Sequence, residues 1–251
     1  MLLHPIIEKL KQLRLNTIAN AIKDQAMQAG IKDLSFEERL GLLVDLEMTA
    51  RESKRLQSRL KNAKFKEDAC FEDIDYHTPR GLDKSVLASL SQCSWVDGHK
   101  NILIIGPTGS GKTFLACALA HKACTLDHTA KYYRLPRLLS DIALSKNDGR
   151  YSKLTQELAK PDVLILDDFG LVAFSDENRR DLLEIIDDRY KKRSTIVTSQ
   201  LPVKLWHETI GNGTLADAIL DRLIHNSYRL DMNMSVDSMR KIKEELIPNQ
   251  D

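Results

Sequence analysis

The glycine-rich segment at residues 106–113 constrains the fold of this chain more than any other stretch. It lies between an apolar run at residues 102–105 and a helix-like stretch at residues 114–124. Glycines at this spacing let successive backbone N–H groups turn inward around a polyphosphate, while a lysine reaches the terminal phosphates and a hydroxyl holds Mg²⁺. A glycine-rich turn without a ligand is the alternative, but a preceding strand and a following helix are the context that phosphate binding requires. The predicted phosphate-binding loop comprises Gly106, Pro107, Thr108, Gly109, Ser110, Gly111, Lys112 and Thr113.

The composition is that of an ordinary globular protein and argues against several function classes. The chain has 251 residues, of which 42% are hydrophobic, and its formal charge of +1 gives no global indication of a nucleic-acid partner. No apolar stretch approaches the roughly 20 residues of a membrane helix, and the N-terminus lacks a signal-peptide pattern. The four cysteines form no CxxC pair, which indicates reduced structural thiols. We therefore expect a cytoplasmic protein with no membrane partner.

The first part of the chain is predicted to be a small all-helical domain spanning residues 1–68. Apolar residues recur there at three- and four-residue steps, and glycine is scarce. Ser35, followed by Glu38 three residues later, forms a capping box that starts a long helix near Phe36. This helix is expected to run into the 60s.

A second domain, predicted to span residues 69–251, begins with a turn-rich linker. Helical and strand-like patterns alternate after it, which indicates a parallel sheet with helices on both faces, an α/β fold. Strands are predicted at residues 101–105, 130–134, 163–166, 195–198 and 228–230.

Two carboxylates follow the third predicted strand. Asp167 and Asp168 come directly after four apolar residues, which places both acids at the carboxyl edge of the sheet, where open α/β folds bind ligands. We expect Asp167 to hold Mg²⁺ through water and Asp168 to act as a base that orients or activates an attacking water. A solvated turn at the end of a strand is the alternative for the pair.

Two further polar residues are ambiguous on their own. Gln200, with Ser199 as a second possibility, ends the next strand and could reach a terminal phosphate, although a strand-ending turn is at least as well supported. Arg222 ends an amphipathic helix, where charge alone indicates an exposed arginine paired with a neighbouring aspartate or the helix carbonyls.

These motifs together resemble the IstB family of transposition helper ATPases, and the similarity covers nearly the whole chain. The residues that carry it are the helical N-terminal segment, the linker at 71–75, the loop at 106–113, and the segments at 164–170, 198–202, 221–223 and 238–240. The resemblance implies an AAA+ fold related to the DnaC helicase loader. It also implies ATP and Mg²⁺ as ligands, a transposase partner in a bacterial cytoplasm, and ATP-dependent homo-oligomers on duplex DNA. Hydrolysis would be stimulated by DNA and transposase.

The resemblance also assigns roles to individual residues. Gln200 becomes a candidate sensor, Arg222 an arginine finger that points into the ATP of a neighbouring subunit, and Tyr76 a residue near adenine. Arg240 matches a second phosphate sensor, although the chain leaves room only for a reduced or absent C-terminal lid. Lys112, Asp168, Gln200 and Arg222 are thus the expected catalytic residues, and Thr113 and Asp167 the expected metal ligands.

DNA binding by a near-neutral protein requires a local concentration of Lys and Arg. Residues 51–66 carry seven basic residues against one acid, and shorter basic runs lie at 146–153 and 189–193. A solvated helix face is the alternative for each run. No base-reading motif accompanies them, so we expect contacts to the backbone and low sequence specificity. The candidate DNA-binding residues are Arg51, Lys54, Arg55, Arg59, Lys61, Lys146, Arg150 and Lys153.

Two other functions remain as alternatives at this stage. One is a DnaC-like loader, whose partner is a hexameric helicase. The other is a small-molecule kinase with the same loop, which requires an arginine-rich lid and an acceptor pocket. The sequence favours a transposition helper that assists a transposase in target DNA capture.

Overall fold

The computed structural model describes residues 3–27, 31 and 33–233, and it divides into two compact units. The first comprises Met1–Ser58 and the second Arg59–Asp251. The division lies before the predicted boundary at residue 68, because the residues after Ser58 make contacts within the second unit. Arg59 pairs with Asp127 at 2.7 Å, and Lys131 donates to the main-chain carbonyl of Asn62 at 2.9 Å.

The first unit is helical, with α1 at Leu3–Gln12, α2 at Asn16–Met27 and α3 at Phe36–Ala63. The predicted capping box is present: the Ser35 N–H donates to Glu38 Oε2 at 2.8 Å, and the Glu38 N–H donates to Ser35 Oγ at 3.2 Å. Helix α3 therefore starts where the sequence predicts it. Glu47 of α3 accepts hydrogen bonds from the backbone of Thr17 and Ile18 and so caps the N-terminus of α2.

The second unit contains a five-stranded, fully parallel sheet. Its strands are β1 (Asn101–Ile105), β2 (Ala130–Arg134), β3 (Val163–Phe169), β4 (Ser194–Ser199) and β5 (Ser227–Asp231), in the spatial order β2-β3-β4-β1-β5. Each predicted strand is confirmed. Strand β3 extends past the predicted end at residue 166, because a register shift between Leu166 and Phe169 lets the chain rejoin β4 after the two acids.

Helices cover both faces of this sheet, as the alternating pattern predicts. The helices are α4 (Lys84–Ser91), α5 (Ser94–Asp97), α6 (Lys112–Thr125), α7 (Leu135–Asn147), α8 (Tyr151–Ala159), α9 (Asp176–Arg189), α10 (Trp206–Ile210) and α11 (Gly213–Ile224). One cluster joins Leu103, Leu164 and Val197 of the sheet to helices α7–α11, whereas α6 packs against β1–β4 and has no residue in that cluster.

The architecture gathers the predicted site residues at one edge. Because all five strands are parallel, their carboxyl ends lie side by side, and the glycine-rich loop joins the end of β1 to the start of α6. None of the helices within the described residues combines the length and the apolar character needed to span a bilayer. The expectation about a C-terminal lid concerns residues that lie outside the described part of the chain.

Candidate functional site

The loop between β1 and α6 is built from glycines for two different reasons. Gly109 and Gly111 have φ angles of +83° and +91°, a left-handed conformation that disfavours side chains. Gly106 is restricted by space instead, since a Cβ there would lie 2.6 Å from the carbonyl oxygen of Met232. Gly111 is also the N-cap of α6, so the free N–H groups of the first helical turn face the loop. This is an anion-binding geometry.

Lys112 begins α6 and is almost entirely buried, with 7% of its surface exposed. Its ammonium group donates to the carbonyl oxygen of Pro107 at 2.8 Å, within the loop itself. Burial lowers the pKa of Lys112, and the charges of Asp168 and Asp167 act in the opposite direction. A cation held over a loop of N–H donors is suited to bind the terminal phosphates of a nucleotide.

Asp167 is completely buried at the end of β3, and hydroxyl groups surround its carboxylate. The side chains of Thr113, Tyr132 and Thr198 donate to it at 3.0, 2.6 and 2.5 Å respectively. One carboxylate beside one loop threonine is an all-oxygen donor set, which Mg²⁺ uses together with substrate phosphates. The chemistry of Thr113 and Asp167 therefore fits Mg²⁺. The described residues hold no cluster of three His, Cys, Asp or Glu side chains able to bind a metal alone.

Asp168 adopts a left-handed backbone conformation, with φ at +65°, at the register shift in β3. Non-glycine residues in this region are strained and concentrate at functional sites. The Asp168 N–H donates to Thr198 Oγ1 at 3.1 Å, and its carboxylate accepts a hydrogen bond from Nε of Arg134 at 2.7 Å. The second acid thus has a cationic partner of its own, Arg134.

The two sensor candidates at the end of β4 differ in their contacts. Gln200 Oε1 accepts a hydrogen bond from Thr108 Oγ1 of the glycine-rich loop at 2.8 Å. Ser199 is buried, and its hydroxyl donates to the carbonyl of Phe169 at 2.8 Å. Gln200 is the one of the two whose side chain contacts the loop.

Arg222 lies at the opposite edge of the sheet from the loop. Its main-chain carbonyl accepts a hydrogen bond from the Asn101 side chain at 3.0 Å, and Asn101 is the first residue of β1. The loop follows the last residue of β1, about 16 Å away at roughly 3.3 Å per residue. The guanidinium group pairs with Asp187 of α9 at 2.5 Å and donates to the Ala218 carbonyl at 2.9 Å. The structure therefore does not bring Arg222 to the loop of its own chain.

Arg80 connects the linker to the glycine-rich loop, a contact that the sequence patterns do not indicate. Its side chain is 6% exposed, and it donates to the carbonyl of Ser110 at 3.3 Å and to the carbonyl of Asp75. Burial lowers its pKa, and Asp75 opposes that shift. Tyr76 follows Asp75 and is partly exposed, with Lys84 Nζ 5.3 Å from its ring centroid. Arg240, the other predicted nucleotide contact, lies outside the described residues.

The predicted DNA-binding residues are not equally available. Arg51 donates to Glu47 and to the Arg14 carbonyl. The side chain of Arg59 is 15% exposed and pairs with Asp127. Lys146 pairs with Asp181 at 2.5 Å. Arg150 pairs with Asp148 but remains largely exposed. In the third basic run, Arg189 is 1% exposed, so burial excludes it from a DNA surface. Among the predicted DNA-binding residues, the exposed side chains of Lys54, Arg55, Lys61 and Lys153 have no hydrogen-bond or ion-pair partner in the described part of the chain.

Four residues of the site are not indicated by the sequence patterns: Arg80, Tyr132, Arg134 and Thr198. Arg134 is the last residue of β2, the strand adjacent to β3, and Tyr132 is in the middle of that strand. Thr198 is the next-to-last residue of β4. A polar side chain near the carboxyl end of a parallel strand indicates a possible site residue, because the carboxyl ends of neighbouring parallel strands lie at the same edge of the sheet. No comparable pattern marks Arg80.

Comparisons with known proteins agree with this geometry. Residues 8–246 match the family model described as IstB-like ATP binding protein. The chain is 47% identical to the insertion sequence ATP-binding protein y4pL of Sinorhizobium fredii, over 96% of this chain and 98% of that protein. It is 31% identical to the insertion sequence IS21 ATP-binding protein of Pseudomonas aeruginosa, over 92% of this chain and 87% of that protein.

Solved structures support the fold. The DnaC helicase loader superposes with a TM-score of 0.54 at 21% identity, covering 68% of this chain and 99% of that one. DnaI superposes with a TM-score of 0.56 at 20% identity, covering 70% and 93%. The parallel sheet with its flanking helices is therefore an AAA+ fold, and the chain belongs to the family of IstB-like ATP-binding proteins, AAA+ ATPases of insertion sequences.

Proposed function

We propose that this ATPase is Mg²⁺-dependent, assembles on duplex DNA when ATP is bound, and assists a transposase in capturing target DNA. The observation that carries the assembly step is the position of Arg222. It lies in the last turn of α11 at the edge of the sheet opposite the loop, so it can serve an ATP site only in a neighbouring copy.

The residues at the loop divide the work of hydrolysis in this proposal. The backbone of residues 106–111 and Lys112 bind the phosphates, and Thr113 and Asp167 hold the metal. Bound Mg²⁺ would neutralise charge that develops on the phosphate oxygens. Asp168 orients the attacking water, and Gln200, already in contact with Thr108, reports the state of the terminal phosphate.

A neighbouring copy completes the site. Arginine supplied by another subunit stabilises charge on the transferring phosphoryl group, which couples hydrolysis to assembly. In this chain Arg222 is held by Asp187 and stacks 5.7 Å from the Tyr190 ring centroid, so its side chain is preorganised at the end of α11. A lone chain is therefore expected to bind ATP and to hydrolyse it slowly.

The DNA and transposase steps rest on two kinds of support. The matched relatives are insertion sequence proteins by name, and an insertion sequence encodes a transposase as its recombining enzyme. The exposed, unpaired side chains of Lys54, Arg55 and Lys61 on or near α3 offer charges for DNA phosphates. No aromatic or base-reading pattern accompanies them, which fits backbone contacts with low sequence specificity.

A mixing experiment tests the shared site. Lys112→Ala removes nucleotide binding but keeps Arg222, whereas Arg222→Ala keeps nucleotide binding but lacks the arginine. Each variant alone should show ATP hydrolysis on duplex DNA reduced by about 10³-fold or more, and an equimolar mixture should regain a substantial fraction of the activity.

Two measurements complete the test. Binding of a fluorescent ATP analogue should be normal for Arg222→Ala, and Arg229→Ala, which removes another half-exposed arginine of the same unit, should hydrolyse ATP like the unmodified protein. Hydrolysis by Arg222→Ala alone at the normal rate would show that the site is complete within one chain.

A further inference from the structure

The buried carboxylate of Asp167 has a cationic neighbour that the nucleotide site does not require. Nζ of Lys66 lies 3.9 Å from Asp167 Oδ2. Among the described residues, no other lysine or arginine has a side-chain nitrogen within 4.0 Å of that carboxylate. Lys66 comes from the segment that follows α3, far in sequence from the other site residues.

The main chain around Lys66 is fixed by its neighbours. Helix α3 ends at Ala63, which is fully buried, and Lys64 turns the chain with a φ angle of +54°. The main-chain groups of Lys66 and Glu67 lie against the thiol of Cys117 in α6, where they oppose the effect of burial, which raises the pKa of that thiol to about 11. The segment is therefore held against the helix that follows the glycine-rich loop.

The side chain of Lys66 is free to exchange partners. It is 42% exposed, whereas the Asp167 side chain is 1% exposed, so the ammonium group approaches the carboxylate from the solvent side. The other partners of Asp167 are neutral hydroxyl groups. Lys66 thus supplies a positive charge at the carboxylate that the proposed metal would also contact.

We propose that Lys66 competes with Mg²⁺ for Asp167 and thereby sets the Mg²⁺ concentration at which nucleotide binds. A single carboxylate oxygen cannot pair closely with an ammonium group and a divalent cation without repulsion between the two cations. Backbone phosphates of duplex DNA would offer the exposed side chain of Lys66 an alternative anionic partner and relieve the competition. The inference rests on the proposed Mg²⁺-dependent function of the same site.

The test measures nucleotide binding rather than hydrolysis. Binding of a fluorescent, non-hydrolysable ATP analogue to the full chain is followed over a Mg²⁺ titration, with and without duplex DNA. Lys66→Gln should lower the Mg²⁺ midpoint by about two- to fivefold, the range for a partly exposed ion pair. Duplex DNA should lower the midpoint of the unmodified protein by a larger factor than that of Lys66→Gln, because assembly on DNA favours nucleotide binding in both proteins but only the unmodified one has the competing lysine.

Two further variants separate charge from fold. Lys66→Arg keeps the cation and should retain the original midpoint. Lys64→Gln removes the same charge from an exposed position two residues earlier and should not shift the midpoint in the absence of DNA. Thermal unfolding of all variants should coincide, because the altered side chains are exposed.

The remaining outcomes distinguish a failure of the proposed role of Lys66 from a failure of the proposed Mg²⁺-dependent function. An unchanged midpoint in Lys66→Gln, or a higher one, would overturn the role of Lys66, since a higher midpoint would mean that the lysine helps to bind phosphate. Nucleotide binding by the unmodified protein that is indifferent to Mg²⁺ would instead overturn the proposed Mg²⁺-dependent function, and the inference with it.

Discussion

At the scale of single residues, the site depends on hydroxyl groups that keep one buried carboxylate in place. Asp167 is inaccessible to water, so every hydrogen bond that water would supply must come from the protein. Thr198 donates to one carboxylate oxygen and Tyr132 to the other, while Thr113 lies within reach of both. The orientation of the proposed metal ligand is therefore determined by three neighbouring side chains.

Removal of the tyrosine hydroxyl tests this arrangement. Tyr132→Phe keeps the ring but deletes the donor to Asp167 Oδ2, so the carboxylate should lose part of its fixed orientation. Hydrogen bonds to charged groups contribute about 1.5–3 kcal/mol, which corresponds to a loss of roughly 10- to 100-fold in kcat/KM for ATP. Steady-state hydrolysis at limiting and saturating Mg²⁺ measures the effect.

The neighbouring tyrosine provides the control for that experiment. Tyr133 is also partly buried, but it packs against the cluster of helices α7–α11 rather than against Asp167. Tyr133→Phe should therefore hydrolyse ATP normally. Equal losses in the two variants would indicate a general effect of β2 packing instead of a specific role for the Tyr132 hydroxyl.

Sequence patterns indicate where the loop and the two acids lie in the sheet, but they do not indicate which side chains pair with them. The loop, Asp167 and Asp168 follow apolar strands, a local pattern that fixes their place in a parallel sheet. The left-handed conformation of Asp168 and its contact with Arg134 arise from the register shift in β3, which depends on pairing with β4. Likewise, Asp127 and Asp181 neutralise Arg59 and Lys146 from distant positions in the chain. Counting charges within a short segment therefore cannot predict which of its cations are neutralised by distant residues.

At the scale of secondary-structure elements, Arg189 at the end of α9 connects several segments at the amino-terminal edge of the sheet through hydrogen bonds. Its guanidinium group donates to the carbonyls of Leu158, Pro161 and Ser194, at 2.8, 2.9 and 2.5 Å. These carbonyls belong to the end of α8, the loop before β3, and the start of β4. The buried cation thus has main-chain oxygens and the Thr195 hydroxyl, and not a carboxylate, as its hydrogen-bond acceptors.

Replacement of this arginine should destabilise the second unit. Arg189→Leu leaves several buried carbonyl groups without a donor, and each unsatisfied group costs about 1–3 kcal/mol. We expect a loss of roughly 3–5 kcal/mol in the free energy of unfolding, measured by urea denaturation. Arg193→Leu, whose side chain is 41% exposed and lies 3.6 Å from Asp162, should lose less than about 1 kcal/mol. Similar losses of unfolding free energy in Arg189→Leu and Arg193→Leu would contradict the expectation that burial of Arg189 causes the difference.

In the first unit, too, a buried charged side chain of one helix forms hydrogen bonds with the main chain of another. Glu47 of α3 is 7% exposed and accepts from the backbone N–H groups of Thr17 and Ile18 at the start of α2, at 3.1 and 3.2 Å. Arg51 pairs with the same carboxylate at 2.7 Å, and its hydrogen bond lowers the pKa of Glu47. This arginine is therefore part of the helical packing, which is why its charge is a poor candidate for DNA contact.

The pairing of Glu47 predicts a pH dependence of the first unit. Because the folded pKa lies below the usual pKa of a glutamate, the contact stabilises the unit above that usual pKa and is lost as the pH falls through the folded pKa. Glu47→Gln should therefore reduce helicity at neutral pH but should change little at strongly acidic pH. Circular dichroism over a pH series makes the comparison, and a constant difference at every pH would exclude an ionic contribution.

At the scale of the whole molecule, the near-neutral total charge means that the proposed DNA binding would have to come from a few exposed cations. The ion pairs of Arg51, Arg59 and Lys146 reduce the number available, and Lys54 and Arg55 remain exposed on α3. Binding through so few phosphate contacts should be weak in a single chain. It should become strong only when several copies assemble, which agrees with the proposed dependence on ATP.

The salt dependence of DNA binding measures how many of these contacts form. Each phosphate that a cation neutralises contributes about 0.9 to the slope of log K against log salt concentration. The double variant Lys54→Gln, Arg55→Gln should therefore flatten the slope by about 1.8 per chain that engages DNA, at fixed saturating ATP analogue. Lys146→Gln removes a charge already paired with Asp181 and should leave the slope unchanged. If the double variant weakened binding equally at every salt concentration, these two side chains would not contact phosphate, and the DNA surface would have to lie elsewhere on the molecule.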